Sequence, residues 1–121
     1  MNRTDELRLR TKQFALRIIK LAEALPRTST ARVIGNQIVR SGTSVGANYC
    51  SACRARSKSE FVAKIGIALE EADETVYWLE LLTDTAMVEP RRLQGLLSEA
   101  EQLVSILAAS RITASRSLNK S

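Results

Sequence analysis

Apolar residues recur every three or four positions along most of the chain, and breaks in that rhythm divide it into four segments. In the first, Leu7, Phe14, Ile18, Leu21 and Leu25 share one face of a helix. Thr4 is placed to cap it, Asp5 and Glu6 favour its positive end, and Pro26 stops it at about residue 24 or 25. Arg27-Thr28-Ser29-Thr30 is a short polar joint whose Ser29 or Thr30 can cap a second helix, running from about 31 to 56. Ser57-Lys58-Ser59-Glu60 has the spacing of a capping box and opens a third helix over about 58–83, with Phe61, Ile65, Ala68, Leu69, Ala72, Val76 and Leu79 inward. Glu89-Pro90 starts a fourth, in which Leu93, Leu96, Leu97, Ala100, Leu103, Val104 and Leu107 form one stripe up to about residue 110. Short joints make successive helices antiparallel neighbours, so the pattern predicts an all-α, up-down-up-down four-helix bundle over residues 1–112. The Ser- and Arg-rich remainder, 113–121, lacks a clear stripe and is expected to be a flexible basic tail.

The second segment organises the rest. Ile34, Ile38, Ser41, Val45, Tyr49 and Ala52 share one face, and Gly35, Gly42, Gly46 and Cys53 form a small-residue stripe beside it. Each glycine inside a helix costs roughly 1 kcal/mol against alanine, so Gly35, Gly42 and Gly46 on one side imply that another backbone packs closely there. A loop at Ser41-Gly42-Thr43-Ser44 is the competing reading.

Two helices carry apolar residues on a second face. Leu9, Leu16 and Ile19 lie away from the core side of the first helix among Arg10, Arg17 and Lys20; Ile67, Trp78 and Leu81 lie away from that of the third among Glu71 and Glu74. A second stripe needs a second thing to touch. One patch is basic and the other acidic, so contact between copies would be heterologous and could close into a ring.

Charge sharpens this picture. The net charge of +5 divides into +9 over residues 1–58, −7 over 59–110 and +3 over 111–121. Arg8, Arg10, Lys12, Arg17, Lys20, Arg27, Arg32 and Arg40 are candidate phosphate contacts, with no stacking aromatic among them, so any binding to RNA or DNA would lack sequence preference.

The same composition argues against chemistry. There is no histidine, and Cys50 and Cys53 have no second pair to complete a zinc site. Their Cys-x-x-Cys spacing falls well inside a helix rather than at its start, where a redox thiol would be activated, so they read as idle thiols. Glu70 and Glu74 can share a helix face but have no partner for acid-base catalysis. The expectation is no catalytic residue, no metal, no cofactor and no small-molecule substrate. No apolar run approaches the ~20 residues of a membrane span, and the N-terminus lacks the apolar centre of a signal peptide, so a cytoplasmic protein without a membrane role is expected.

Several stretches also resemble a known family. Arg40-Ser41-Gly42-Thr43-Ser44-Val45-Gly46-Ala47-Asn48-Tyr49, Lys58-Ser59-Glu60-Phe61, Lys64-Ile65, Ile67-Ala68-Leu69-Glu70-Glu71-Ala72 and Glu74-Thr75-Val76-Tyr77-Trp78-Leu79-Glu80-Leu81-Leu82 are similar to the four-helix bundle proteins encoded in intervening sequences of bacterial 23S ribosomal RNA genes. Gly42 stands where that pattern more often has alanine, and Cys50 and Cys53 are not part of it. The resemblance implies a homo-oligomeric ring, typically a pentamer, without an assigned activity. A related branch, the accessory proteins of diversity-generating retroelements, forms basic pentamers that bind nucleic acid and a reverse transcriptase; that role extends to this chain by analogy of fold alone. Two functions follow as expectations: a non-enzymatic ring whose basic face binds RNA or DNA, or a protein-interaction scaffold whose basic residues serve its own assembly.

Overall fold

A computed structural model describes residues 1–119 as four α-helices: α1 (Arg3–Glu23), α2 (Ser29–Cys53), α3 (Lys58–Thr85) and α4 (Pro90–Asn119). No strand occurs among the described residues. Helix α1 packs along α2, α2 along α3 and α3 along α4, while α1 touches α4 more sparsely. Among the described residues the diagonal pairs, α1 with α3 and α2 with α4, make no close backbone approach, so the antiparallel helices stand at the corners of a four-helix bundle.

Local chemistry places each boundary. Asn2, not Thr4, caps α1: its Oδ1 accepts from the Asp5 amide at 2.8 Å, which leaves Asp5 and Glu6 in the first turn. Thr28 caps α2, its Oγ1 accepting from the Ala31 amide at 3.1 Å, so this helix starts two residues earlier than expected and the joint after Pro26 is correspondingly tight. Helix α2 is continuous through Ser41-Gly42-Thr43-Ser44, where Thr43 and Ser44 hydroxyls donate back to the Val39 and Arg40 carbonyls. It ends at Cys53 rather than 56, because Ser57 must turn extended to cap α3. There the Ser57 hydroxyl accepts from the Glu60 amide at 3.0 Å, and Glu60 reaches back to the Arg56 amide at 3.4 Å, one residue upstream of the usual reciprocal bond. Helix α3 closes on Ala86 in the left-handed region, a conformation more often given to glycine.

Helix α4 continues well past residue 110. Residues 113–119 of the expected tail are helical, and Lys58 Nζ donates to Ser117 Oγ at 2.7 Å; residues 120 and 121 lie outside the described residues. The final turns therefore lean on α3 instead of leaving the bundle.

The core is built from the expected stripes. Phe14 and Ile18 of α1, Ile34, Ile38, Val45 and Tyr49 of α2, Ile65, Leu79 and Leu82 of α3, and Leu93, Leu103 and Leu107 of α4 are buried together. Leu7, Leu21, Leu25, Phe61, Leu69 and Val76 pack only partly buried around them. Two threonines that hydropathy leaves out, Thr11 and Thr75, are fully buried. The Thr75 and Ser41 hydroxyl oxygens sit 2.9 Å apart, and Thr75 also lies 2.8 Å from the Glu71 carbonyl, so neither polar group is stranded in the α2–α3 seam.

The small-residue stripe of α2 faces α1. A Cβ on Gly42 would stand 2.9 Å from both Cγ1 and Cγ2 of Ile18, and one on Gly46 would stand 3.1 Å from Thr11 Oγ1. Ile18 is fully buried and has nowhere to retreat. Gly95 differs, since its Cβ would meet only the far end of Arg17 at 3.4 Å. Gly42→Ala should therefore lower stability by about 1–3 kcal/mol even though helix propensity alone favours alanine by roughly 1 kcal/mol. Gly95→Ala should raise stability by about 0.5–1 kcal/mol. Urea unfolding followed by circular dichroism checks both signs.

Candidate interaction surfaces on the helical bundle

Folding divides the eight candidate phosphate contacts into two groups. Arg10 and Arg40 are engaged in contacts between helices of the same chain. The Arg10 guanidinium forms a fork on Glu99 of α4, with Nε to Oε2 and Nη2 to Oε1 both at 2.7 Å, and Nη2 also donates to Gln102 at 2.8 Å. The Glu99 carboxylate raises the Arg10 pKa above its ordinary value, chiefly through these hydrogen bonds. Arg40 bridges α2 to α3 by donating to Glu71 at 3.0 Å and to Glu74. Arg8, Lys12, Arg17, Lys20, Arg27 and Arg32 are exposed, and none of the ion pairs among the described residues includes them.

The oligomer candidates divide likewise. Leu9, Leu16, Ile19 and Ile67 are exposed, Leu16 to 56%. Trp78 and Leu81 instead turn partly inward against the core, and Trp78 Nε1 donates to Glu74 Oε2 at 3.0 Å. Tyr77 takes the outward position on α3: it is 54% exposed and stands edge-on to Trp78 with ring centroids 5.1 Å apart. Sequence periodicity missed it because Tyr77 and Trp78, consecutive residues roughly 100° apart around the helix, stand about equally far from the expected apolar stripe, and only packing decides which ring turns in. The acidic character of this face also moves. Glu71 and Glu74 serve Arg40, whereas Glu70, Asp73, Glu80 and Asp84 are exposed and outside every ion pair among the described residues.

The apolar-basic face of α1 and the apolar-acidic face of α3 thus lie at opposite corners of the bundle. Beside Leu16 and Ile19, an open groove of about 630 Å³ runs between α1 and α4, bordered by Gln13, Arg17, Lys20 and Glu99. Gly35 lies in a second groove, between the end of α1 and the start of α2, its Cβ position 3.3 Å from Leu25.

A family model described as 23S rRNA-intervening sequence protein matches residues 6–109. The chain belongs to this family. Among solved structures, a protein of unknown function from the S23 ribosomal protein family of Bacteroides thetaiotaomicron VPI-5482 is 34% identical and superposes with a TM-score of 0.84. The match covers 91% of this chain and 98% of that one. No curated protein matches the chain. As a 23S rRNA-intervening sequence protein, it carries its matched region through all four helices, but the last turns of α4, from residue 110 onward, lie beyond the match.

Among the described residues no group of three or more His, Cys, Asp or Glu side chains is placed to hold a metal ion, and Cys50 and Cys53 are free, half-buried thiols beside Tyr49. No helix of the described residues is long and apolar enough to cross a membrane. Burial pushes the Tyr49 phenol up to about 12, with hydrogen bonding to Cys53 adding to the rise and Thr4 working against it. Between about pH 10, where an unfolded tyrosine ionises, and about 12 the folded chain holds this proton more tightly. This contribution to stability is complete below the lower value and is lost as pH rises through the upper one. Phenolate absorbance during an alkaline titration should show a late step near pH 12 that Tyr49→Phe removes.

Proposed function

We propose that this protein is a non-enzymatic, self-assembling bundle that forms a ring, a pentamer by analogy with the resemblance drawn from its sequence, and binds RNA or DNA through cations left unpaired by folding. The observation that carries the assembly is the pair of opposed surfaces. Leu9, Leu16 and Ile19 on α1 are flanked by Arg8, Lys12 and Lys20; Ile67 and Tyr77 on α3 are flanked by Glu70, Asp73, Glu80 and Asp84. A twofold dimer would set each patch against itself and oppose like charges, whereas a head-to-tail contact joins opposite ones. A contact that also turns each copy by about 72° closes at five. In this arrangement the Tyr77 ring of a second copy, a suitable aromatic anchor, seats in the groove beside Leu16.

Polyanion binding draws support from the net charge of +5 and from the unpaired cations on α1 and α2. The alternative is a protein scaffold whose α1 cations are used wholly against the acidic α3 face of the next copy. A salt series separates the two, since nucleic-acid binding weakens steeply with salt and the scaffold reading gives none.

Light scattering should find wild type as a ring. Leu16→Asp, at an exposed site, should leave monomer stability within about 0.5 kcal/mol and yield folded monomers. Wild-type monomers, or a full ring from Leu16→Asp, would exclude this arrangement.

A further inference from the structure

Topology brings together two basic segments that lie far apart in the sequence. The connection from α2 to α3 and the first turns of α3 sit at the same end of the bundle as the last turns of α4. Lys58 Nζ contacts Ser117 Oγ at 2.7 Å, and the Arg111 guanidinium lies flat enough on α3 that a Cβ at Gly66 would be 3.5 Å from it. Residues 54–64 and 111–119 contribute Arg54, Arg56, Lys58, Lys64, Arg111 and Arg116, against one carboxylate, Glu60. That surplus of five equals the net charge of the whole chain, and all other residues together carry twelve cations and twelve carboxylates. The start of α1, at the same end, is balanced, with Arg3 and Arg8 against Asp5 and Glu6. None of the ion pairs among the described residues uses any of the six.

We propose that this end of the bundle, where the α2–α3 connection meets the end of α4, is a docking surface for the phosphate backbone of a nucleic acid. Four of the six cations are arginines, whose planar forks suit phosphate oxygens, and Ser59 and Ser115 add hydroxyl donors close by in sequence. The exposed large apolar side chains of these segments reduce to Ile112, with Met1 on the neighbouring α1 terminus, too little to enter a lipid surface. Phe61 and Tyr49, the aromatics nearest this end, are turned inward, so bases have nothing to stack on and recognition stays with the backbone. Arg111 and Arg116 lie beyond the residues matched by the family model. In a ring joined through the sides of α1 and α3, every copy presents this end on the same rim, which multiplies a weak single contact. The inference rests on the polyanion-binding reading and replaces the outer face of α1 as its principal site.

The test compares two charge-matched double variants of the full chain. Arg54→Glu with Arg116→Glu changes exposed residues at this end; Arg91→Glu with Arg92→Glu makes the same change in net charge at the start of α4, the other end. Binding is measured by anisotropy of fluorescent single-stranded RNA and duplex DNA between about 50 and 200 mM salt, with circular dichroism confirming the fold. The first pair should weaken binding about tenfold or more at low salt and reduce the salt slope by about 2, the second by less than about threefold. Equal losses from both pairs would leave polyanion binding in place and remove this end as its site. No binding by wild type to either nucleic acid would overturn both readings, and capture by phosphatidylserine vesicles with no nucleic-acid binding would assign the end to lipid.

Discussion

The close approach of α1 to α2 is the constraint on which the remaining geometry depends. Gly42 admits the branched Cγ atoms of Ile18, and Gly46 admits Thr11, at separations that a Cβ would forbid. The two contacts lie about a turn apart on α2, so together with Leu25 at Gly35 they set the axial register as well as the spacing of the pair. Once Ile18 and Phe14 are seated inward, the helical period turns Leu9 and Leu16 out to solvent. An internal packing contact therefore determines what α1 shows to a partner.

Polar contacts then secure the other seams and alter the surface by doing so. The α2–α3 seam carries the Ser41–Thr75 pair within the core and the Arg40 bridge at its rim; the sparser α1–α4 seam carries the Arg10 fork on Glu99. Exposed pairs of this kind each contribute on the order of 1 kcal/mol or less. Their larger consequence is electrostatic, because they withdraw two arginines and three glutamates from any intermolecular role. What remains outward is more polarised than a list of charged residues suggests: cations on α1, carboxylates on α3, and the whole excess of positive charge at one end.

That distribution bears on how the proposed activities fit one molecule. Side surfaces of opposite sign at opposite corners suit assembly between copies, while the end lies clear of those sides. Assembly and polyanion binding would then use different residues and need not compete. The scaffold alternative needs only the sides and assigns no work to Arg54, Arg56 and Arg116.

The sequence by itself determined the number, order and inward faces of the helices, because a period of 3.6 and punctuation such as Pro26, Ser57-x-x-Glu60 and Pro90 are local properties that tertiary contacts reinforce. Its errors were local as well. Asn2 and Thr28 displaced neighbouring hydroxyls as caps, and α4 outran its apolar stripe because contacts such as Lys58 with Ser117 hold turns that hydropathy does not mark. Only the tertiary structure decided which of the adjacent rings Tyr77 and Trp78 faces water, and which arginines are already paired. It alone also brought residues 54–64 and 111–119 to one end. Those outcomes depend on residues from other helices, at separations along the chain that no periodicity encodes.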